Sequence, residues 1–289
     1  MQRNFRATCQ RQPLLRAPAR LSRPSRNSNS KTPTAFASSK ATPAKAMPAI
    51  TRLELYDDPH SEYSAKVKVA MHAKGLCWAT LPVPCGGTRS PDFLAINPLG
   101  KIPVLCVTFD DGRRESVFES EVILELLEEL FPQPPLLPAE PLARSKARLI
   151  SRYHDLYLEP ALRRLYGMVA PSGGHSKQEV QEAVAAFTAR LSELESLLPP
   201  DRTLALTDDN QLTLADCGYP ALFLYTELLL PVLLGRCGRP SDGCSEQQQV
   251  LPPRLRRWRT ALWGHPAVQA VLAELRPAAE EWLAGRSRS

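Results

Sequence analysis

The first fifty of the 289 residues contain no aspartate or glutamate at all. They hold seven Arg, three Lys, six Ser and six Pro, and no apolar run long enough for a signal peptide or a membrane span. The chain also lacks any C-x-x-C pair, and its seven cysteines are not interleaved with histidine at metal-ligand spacing. That argues against a dithiol redox centre and against a structural zinc site. Free thiols in a reducing compartment are the expectation.

The acid-free, Ser-rich leader over residues 1–48 reads as an organellar transit peptide, the alternative being a basic arm for nucleic acid or anionic lipid. The Pro, Ala, Ser and Thr content of Lys31 to Pro48 favours a chloroplast over a mitochondrion. Setting the leader aside changes the sign of the charge. The whole chain is 36 − 30 = +6, the leader supplies +10, and residues 51–289 carry 26 − 30 = −4. The body of the protein gives no support to nucleic acid as a partner.

Residues 51–131 read as a small α/β unit. Leu53 to Tyr56 alternates as a strand, Asp57-Asp58-Pro59 breaks it, and Ser61 precedes a helical pattern that Gly75 ends. Cys77 to Val83 predicts a second strand, and Ser90 with Pro91 starts a short helix. Two further strands, Pro103–Thr108 and Arg114–Phe118, join at Asp110-Asp111-Gly112, and a helix runs from Glu121 to Phe131.

Two pieces of this unit invite chemistry. In Asn97-Pro98-Leu99-Gly100-Lys101-Ile102-Pro103-Val104 a proline starts a strand, where its missing N–H does no harm, and Ile102-Pro103 is a candidate cis bond. A bend there leaves the backbone of Ile102 free to pair with an extended ligand. In Phe118-Glu119-Ser120-Glu121 a hydroxyl and carboxylates open an apolar helix, an anion-receptive N-terminus.

Beyond Pro132-Gln133-Pro134-Pro135, a stiff linker, the pattern is helical throughout residues 140–289. Pro141 to Met168 is a helix broken or kinked at Pro160. Ser176-Lys177-Gln178-Glu179 is a capping box ahead of a stripe running to Leu198, and Thr213-Leu214-Ala215-Asp216 repeats the device before a buried central helix. Gly235 to Pro253 reads as an inserted loop, followed by helices over Arg254–Trp263 and His265–Leu283. His265 reads as a helix-start residue rather than a base.

The order βαβ-α-ββα, with Ser61 to Ala70, Asn97 to Leu105 and Glu119-Ser120 in sequence, resembles the amino-terminal domain of soluble glutathione transferases. The likeness is loosely to the tetrachlorohydroquinone-dehalogenase-like and zeta branch, although Glu62 and Tyr63 stand where the zeta pattern has a second serine and a cysteine. It implies a thioredoxin-like α/β domain followed by an all-helical domain, usually paired as a homodimer. It implies an enzyme that uses glutathione as co-substrate, without a metal, to attack a hydrophobic electrophile by conjugation, dehalogenation or peroxide reduction.

By the same resemblance Ser61 activates the thiol, with Ser64 and then Tyr56 as rivals. Pro103 is the cis-proline, Ile102 pairs with the cysteinyl unit, Ser120 holds the γ-glutamyl carboxylate and Glu119 meets the ammonium. Lys101 either reaches the glycyl carboxylate or is a solvated turn lysine. The first long helix of the second domain faces the thiol, so Arg152, Tyr153, His154 and Tyr157 are the electrophile-pocket candidates, Tyr153 and Tyr157 first. Serine at position 61 counts against a thiol oxidoreductase. A non-catalytic carrier of a hydrophobic ligand or protein partner is the alternative on the same fold.

Overall fold

The computed structural model describes residues 48–207, 211–237 and 251–286. The leader expected over residues 1–48, apart from its last residue, and the centre of the inserted loop lie outside these.

Four strands form one sheet in the order β2-β1-β3-β4: β1 (Ile50–Asp57), β2 (Ala79–Pro82), β3 (Val104–Phe109) and β4 (Arg114–Phe118). β1 runs parallel to β2 and antiparallel to β3, which pairs antiparallel with β4. The parallel pair needs a crossover, which α1 (Glu62–Ala73) supplies. The period of two along β3 divides the core. Leu105 and Val107 face the main core with α1 and α3 (Ser120–Leu130), whereas Val104 and Cys106 join Phe93 of α2 (Pro91–Ile96) on the opposite face. This is a thioredoxin-like domain.

Cys85, Cys106, Cys217 and Cys237 are free thiols. Cys77 is disulfide-bonded, which corrects the expectation of free thiols throughout.

The helical region starts at Pro141, with Glu140 accepting from the N–H groups of Leu142 and Ala143. α4 (Pro141–Tyr153) passes through a π turn (His154–Leu158) into α5 (Glu159–Tyr166). The expected break therefore takes the form of a widened turn just ahead of Pro160, whose missing N–H cannot continue the α ladder. α6 (Lys177–Leu197) carries the Ser176–Glu179 capping box. The Thr213–Asp216 box opens the single turn α7 (Leu214–Cys217) and then α8 (Tyr219–Arg236).

Asp216 is wholly buried, and it accepts from the N–H groups of Thr213 and Ala205, from the Thr213 hydroxyl and from the Trp258 indole. It is a structural hub, as its position in the sequence suggested. Among the described residues one stretch, Leu214–Arg236, is long and apolar enough to cross a membrane, and it is mostly buried inside the fold. α9 (Pro253–Gly264) and α10 (Pro266–Arg286) complete the bundle. His265 accepts from the Ala267 N–H at the start of α10.

α1 joins the two halves. Its Val67, Val69 and Ala70 are buried in the core it shares with the sheet, and it packs across α3, α7, α8 and α10. Its two buried lysines and the buried lysine that caps it are each neutralised. Lys66 pairs with Glu121 and Asp155, and Lys68 pairs with Asp57 and Glu274. Lys74, just past the helix, pairs with Glu128 and donates to the Phe131 and Pro134 carbonyls, tying down the linker.

Candidate functional site

The turn before β3 is built by Asn97. Its side chain is buried, donates to the Lys101 carbonyl at 2.7 Å and accepts the Leu99 N–H at 3.0 Å. Gly100 sits at φ +59°, and a Cβ there would lie 2.8 Å from the Thr88 carbonyl oxygen, so only glycine closes this turn. The Ile102-Pro103 bond is cis. Both ladders of β3 begin at Val104, opposite Tyr56 and Phe118, so the backbone of Ile102 takes part in neither.

Facing this turn is the start of α3. Glu119 caps the helix with φ +70°, the one non-glycine residue in the left-handed region among those described. Its exposed side chain makes no capping bond and is free to point outward. Ser120 follows as the first residue of α3 and is buried.

A cleft of about 190 Å³ lies between these pieces and the helical domain. It is lined by Lys101, Ile102, Pro103, Glu119 and Ser120, which the structure brings together as the sequence motifs implied. Asn97 and Tyr63 complete its near wall, and Arg152, Asp155 and Leu156 form the wall from the helical domain.

Ser61 is not in the wall of this cleft. It caps α1 two residues before Tyr63, half-buried, with its Oγ accepting the Ser64 N–H at 3.2 Å. That bond uses an oxygen lone pair and leaves the hydroxyl proton to donate. Ser64 has no exposed surface and its hydroxyl has no partner, so it cannot reach a ligand. Tyr56 packs edge-on against Phe93 on the α2 face.

Tyr153 and Tyr157 do not line the cleft. The Tyr153 hydroxyl donates to Glu193 at 2.7 Å and to the Arg190 carbonyl at 3.1 Å, both on α6. Tyr157 stacks on it at 5.0 Å between centroids. The reason is helical geometry: residues 153 and 157 share one face, while 152, 155 and 156 share the face turned to α1 and α3. His154, also expected near the pocket, is buried, with its ring edge-on to Tyr63 and Tyr219.

Asp155, unforeseen in the sequence, organises this wall. It takes Lys66 at 2.9 Å on both oxygens, the His154 ring at 2.9 Å and Arg152 at 3.1 Å. Burial opposes its ionisation, but the His154 hydrogen bond and the Lys66 charge outweigh that and hold its carboxyl down at about 2. The Tyr63 hydroxyl donates to Glu159, and burial together with that carboxylate raises its pKa, so it stays a protonated phenol. A readable signal for this wall was the spacing Arg152-x-x-Asp155, one helical turn.

The chain is similar to several known proteins. Residues 55–135 match the family model described as "Glutathione S-transferase, N-terminal domain". The chain is 32% identical over 151 residues to a maleylacetoacetate isomerase from Pseudomonas aeruginosa, covering 50% of this chain and 69% of that one. It is 30% identical to a stringent starvation protein A homolog from Coxiella burnetii, covering 57% and 71%. Among solved structures, a glutathione S-transferase from Methylobacterium radiotolerans in complex with glutathione sulfonate superposes with a TM-score of 0.57 at 25% identity, covering 76% of this chain and 94% of that one.

The fold and the cleft define a glutathione-transferase-type protein. The chain belongs to the soluble glutathione S-transferase family, on its zeta-like side.

Proposed function

We propose that this protein is a glutathione transferase that binds glutathione along the cleft and activates its thiol at Ser61. The observation that carries the reading is the meeting, in one cleft, of the Ile102 backbone, the α3 N-terminus at Ser120 and the free carboxylate of Glu119. An extended γ-glutamyl peptide meets all three. Its carboxylate takes the Ser120 hydroxyl and first-turn N–H groups, its ammonium takes Glu119, and its cysteinyl amide pairs with Ile102. Lys101 offers a cation for the glycyl carboxylate.

Ser61 caps α1, so a sulfur held there meets the positive end of the helix and a hydroxyl donor. Both favour thiolate over thiol. The thiol proton leaves to solvent, the thiolate attacks an electrophilic carbon, and the displaced group departs with the bonding pair. The electrophile enters from the side walled by Arg152 and Leu156, which gives it one cationic and one apolar contact. Whether the reaction is conjugation, dehalogenation or peroxide reduction is set by that second substrate.

The same reading carries two further expectations. The protein works as a homodimer, and residues 1–48 direct it to the chloroplast.

The test is turnover of glutathione with chlorodinitrobenzene, following chloride release and thioether formation together, in the parent protein and in Ser61→Ala. Glutathione-dependent turnover lost in Ser61→Ala supports the reading. A protein that binds glutathione but turns over none of a panel of electrophiles points to the carrier reading, which the kinship with a stringent starvation protein A homolog keeps in view.

A further inference from the structure

The two residues that flank Ser61 are each held by a tyrosine from the helical domain. Tyr225 of α8 donates to the carbonyl oxygen of His60 at 2.6 Å. Tyr166, the last residue of α5, donates to Oε2 of Glu62 at 2.7 Å. The two rings pack on each other with centroids 5.2 Å apart, and both pack on Trp282 of α10, at 5.4 and 6.2 Å.

These contacts span 165 and 104 residues of sequence, so they are tertiary and not part of the local cap. The cap itself is complete without them, through Ser61 and the Ser64 N–H. Glu62 is buried and its other oxygen has no hydrogen-bond partner, so the Tyr166 hydroxyl is what orients its carboxyl. A grip on one neighbour would fix where the loop lies. A grip on both fixes how the residue between them points.

We propose that Tyr225 and Tyr166 are positioning residues for thiol activation: hydroxyls of the helical domain that hold His60 and Glu62 and thereby aim the Ser61 hydroxyl at the glutathione sulfur. The helical domain then contributes to the activating apparatus as well as walling the second substrate. Rings braced on Trp282 give the grip its rigidity, since an aromatic side chain has few torsions to lose. The proposal rests on the reading of Ser61 given above.

The test uses the full chain and the variants Tyr225→Phe, Tyr166→Phe, Ser61→Ala and Thr226→Val, the last removing a hydroxyl that bonds within α8 beside Tyr225. For each, glutathione affinity is read by calorimetry, the pKa of the bound thiol by thiolate absorbance against pH, and kcat with chlorodinitrobenzene. The expected result for both Phe variants is affinity within about twofold of the parent, a thiol pKa raised by about one unit and kcat lower by about tenfold, one pKa unit being a tenfold change in that equilibrium. Thr226→Val should match the parent. In a Ser61→Ala background the Tyr225→Phe change should add nothing, because the group it positions is gone.

An unchanged thiol pKa in both Phe variants, with Ser61→Ala still raising it, overturns the positioning role and leaves the proposed function standing. Loss of affinity in step with loss of folding stability overturns it as well, in favour of a structural role. No effect of Ser61→Ala on the thiol, or no glutathione binding by the parent, overturns the functional reading and the inference with it.

Discussion

Lys66 of α1 and Asp155 of the π turn form a two-pronged ion pair, with Nζ 2.9 Å from each carboxylate oxygen and the lysine side chain wholly inside the protein. The same ammonium lies 2.7 Å from Glu121, which also accepts the Ser151 hydroxyl. One cation therefore holds the first helix, the third helix and the wall of the cleft together. Lys66→Met keeps most of the side-chain volume and removes that cation, leaving half-buried Asp155 with His154 and Arg152 and half-buried Glu121 with the Ser151 hydroxyl alone. The expected cost is at most about 3–5 kcal/mol, the range for a buried ion pair broken on one side, because each acid keeps a second partner. Urea unfolding of the variant beside the parent checks this; a cost below about 1 kcal/mol would show that water or rearrangement satisfies both acids.

Ser61 and Ser64 are three residues apart on the same turn, and the structure separates their roles. Ser61→Ala removes a donor to a thiolate, a hydrogen bond to a charged group worth about 1.5–3 kcal/mol, so kcat should fall roughly ten- to a hundredfold while glutathione still binds. Ser64→Ala removes a buried hydroxyl that has no partner. It should leave kcat unaltered and stability equal or slightly improved. Steady-state kinetics of the two variants decide the point, and the reverse order of effects would move activation to Ser64.

At the other end of the ligand, Ser120→Ala and Glu119→Gln each remove one partner of a charged terminus. Each should weaken glutathione at least tenfold with little change in thermal stability, since the Glu119 carboxylate makes no capping bond. A loss of affinity for both glutathione and a γ-glutamyl dipeptide places the effect at that end. Intact affinity in either variant would remove that residue from the site.

Glu62 provides a pH signature. Burial, reinforced by the neighbouring Glu159 charge, raises its pKa from 4.5 to about 8. The folded protein therefore keeps a proton that the unfolded chain releases. The stability this contributes is complete below pH 4.5 and is lost as pH rises towards about 8. Asp155 acts in the opposite sense further down, its contribution being lost as pH falls from 3.8 towards about 2. Between about pH 5 and 8 the stability of the parent should decline, by at most about 1.4 kcal/mol per pH unit from this one proton, and Glu62→Gln should flatten the decline. Parallel pH profiles for the two proteins would contradict the assignment.

Much of this was legible in the sequence because the informative features are local. A proline at a strand start, a glycine closing a turn and a hydroxyl ahead of an apolar helix each act within a few residues, so the positions of Pro103, Gly100, Ser120 and Ser61 follow from spacing. The thioredoxin-like order of elements follows from the same punctuation. The helical wall of the cleft was less legible. Tyr153 and Tyr157 looked suited to a pocket, but their face of the helix turns to α6, and the π turn before Pro160 adds a rotation that a regular helical count misses. Asp155 is not legible in this way because its partner Lys66 stands 89 residues earlier and meets it only when the domains pack. The tyrosine grip on His60 and Glu62 is likewise written in residues more than a hundred positions away.

The measurement that bears most directly on the central claim is the pKa of the glutathione thiol when bound to the full chain, read by thiolate absorbance in the parent and in Ser61→Ala. The expected result is a bound thiol acidic enough to be largely thiolate at neutral pH, and a shift back towards the free value when the Ser61 hydroxyl is removed. A bound thiol with the acidity of free glutathione, the same in both proteins, would contradict activation at Ser61.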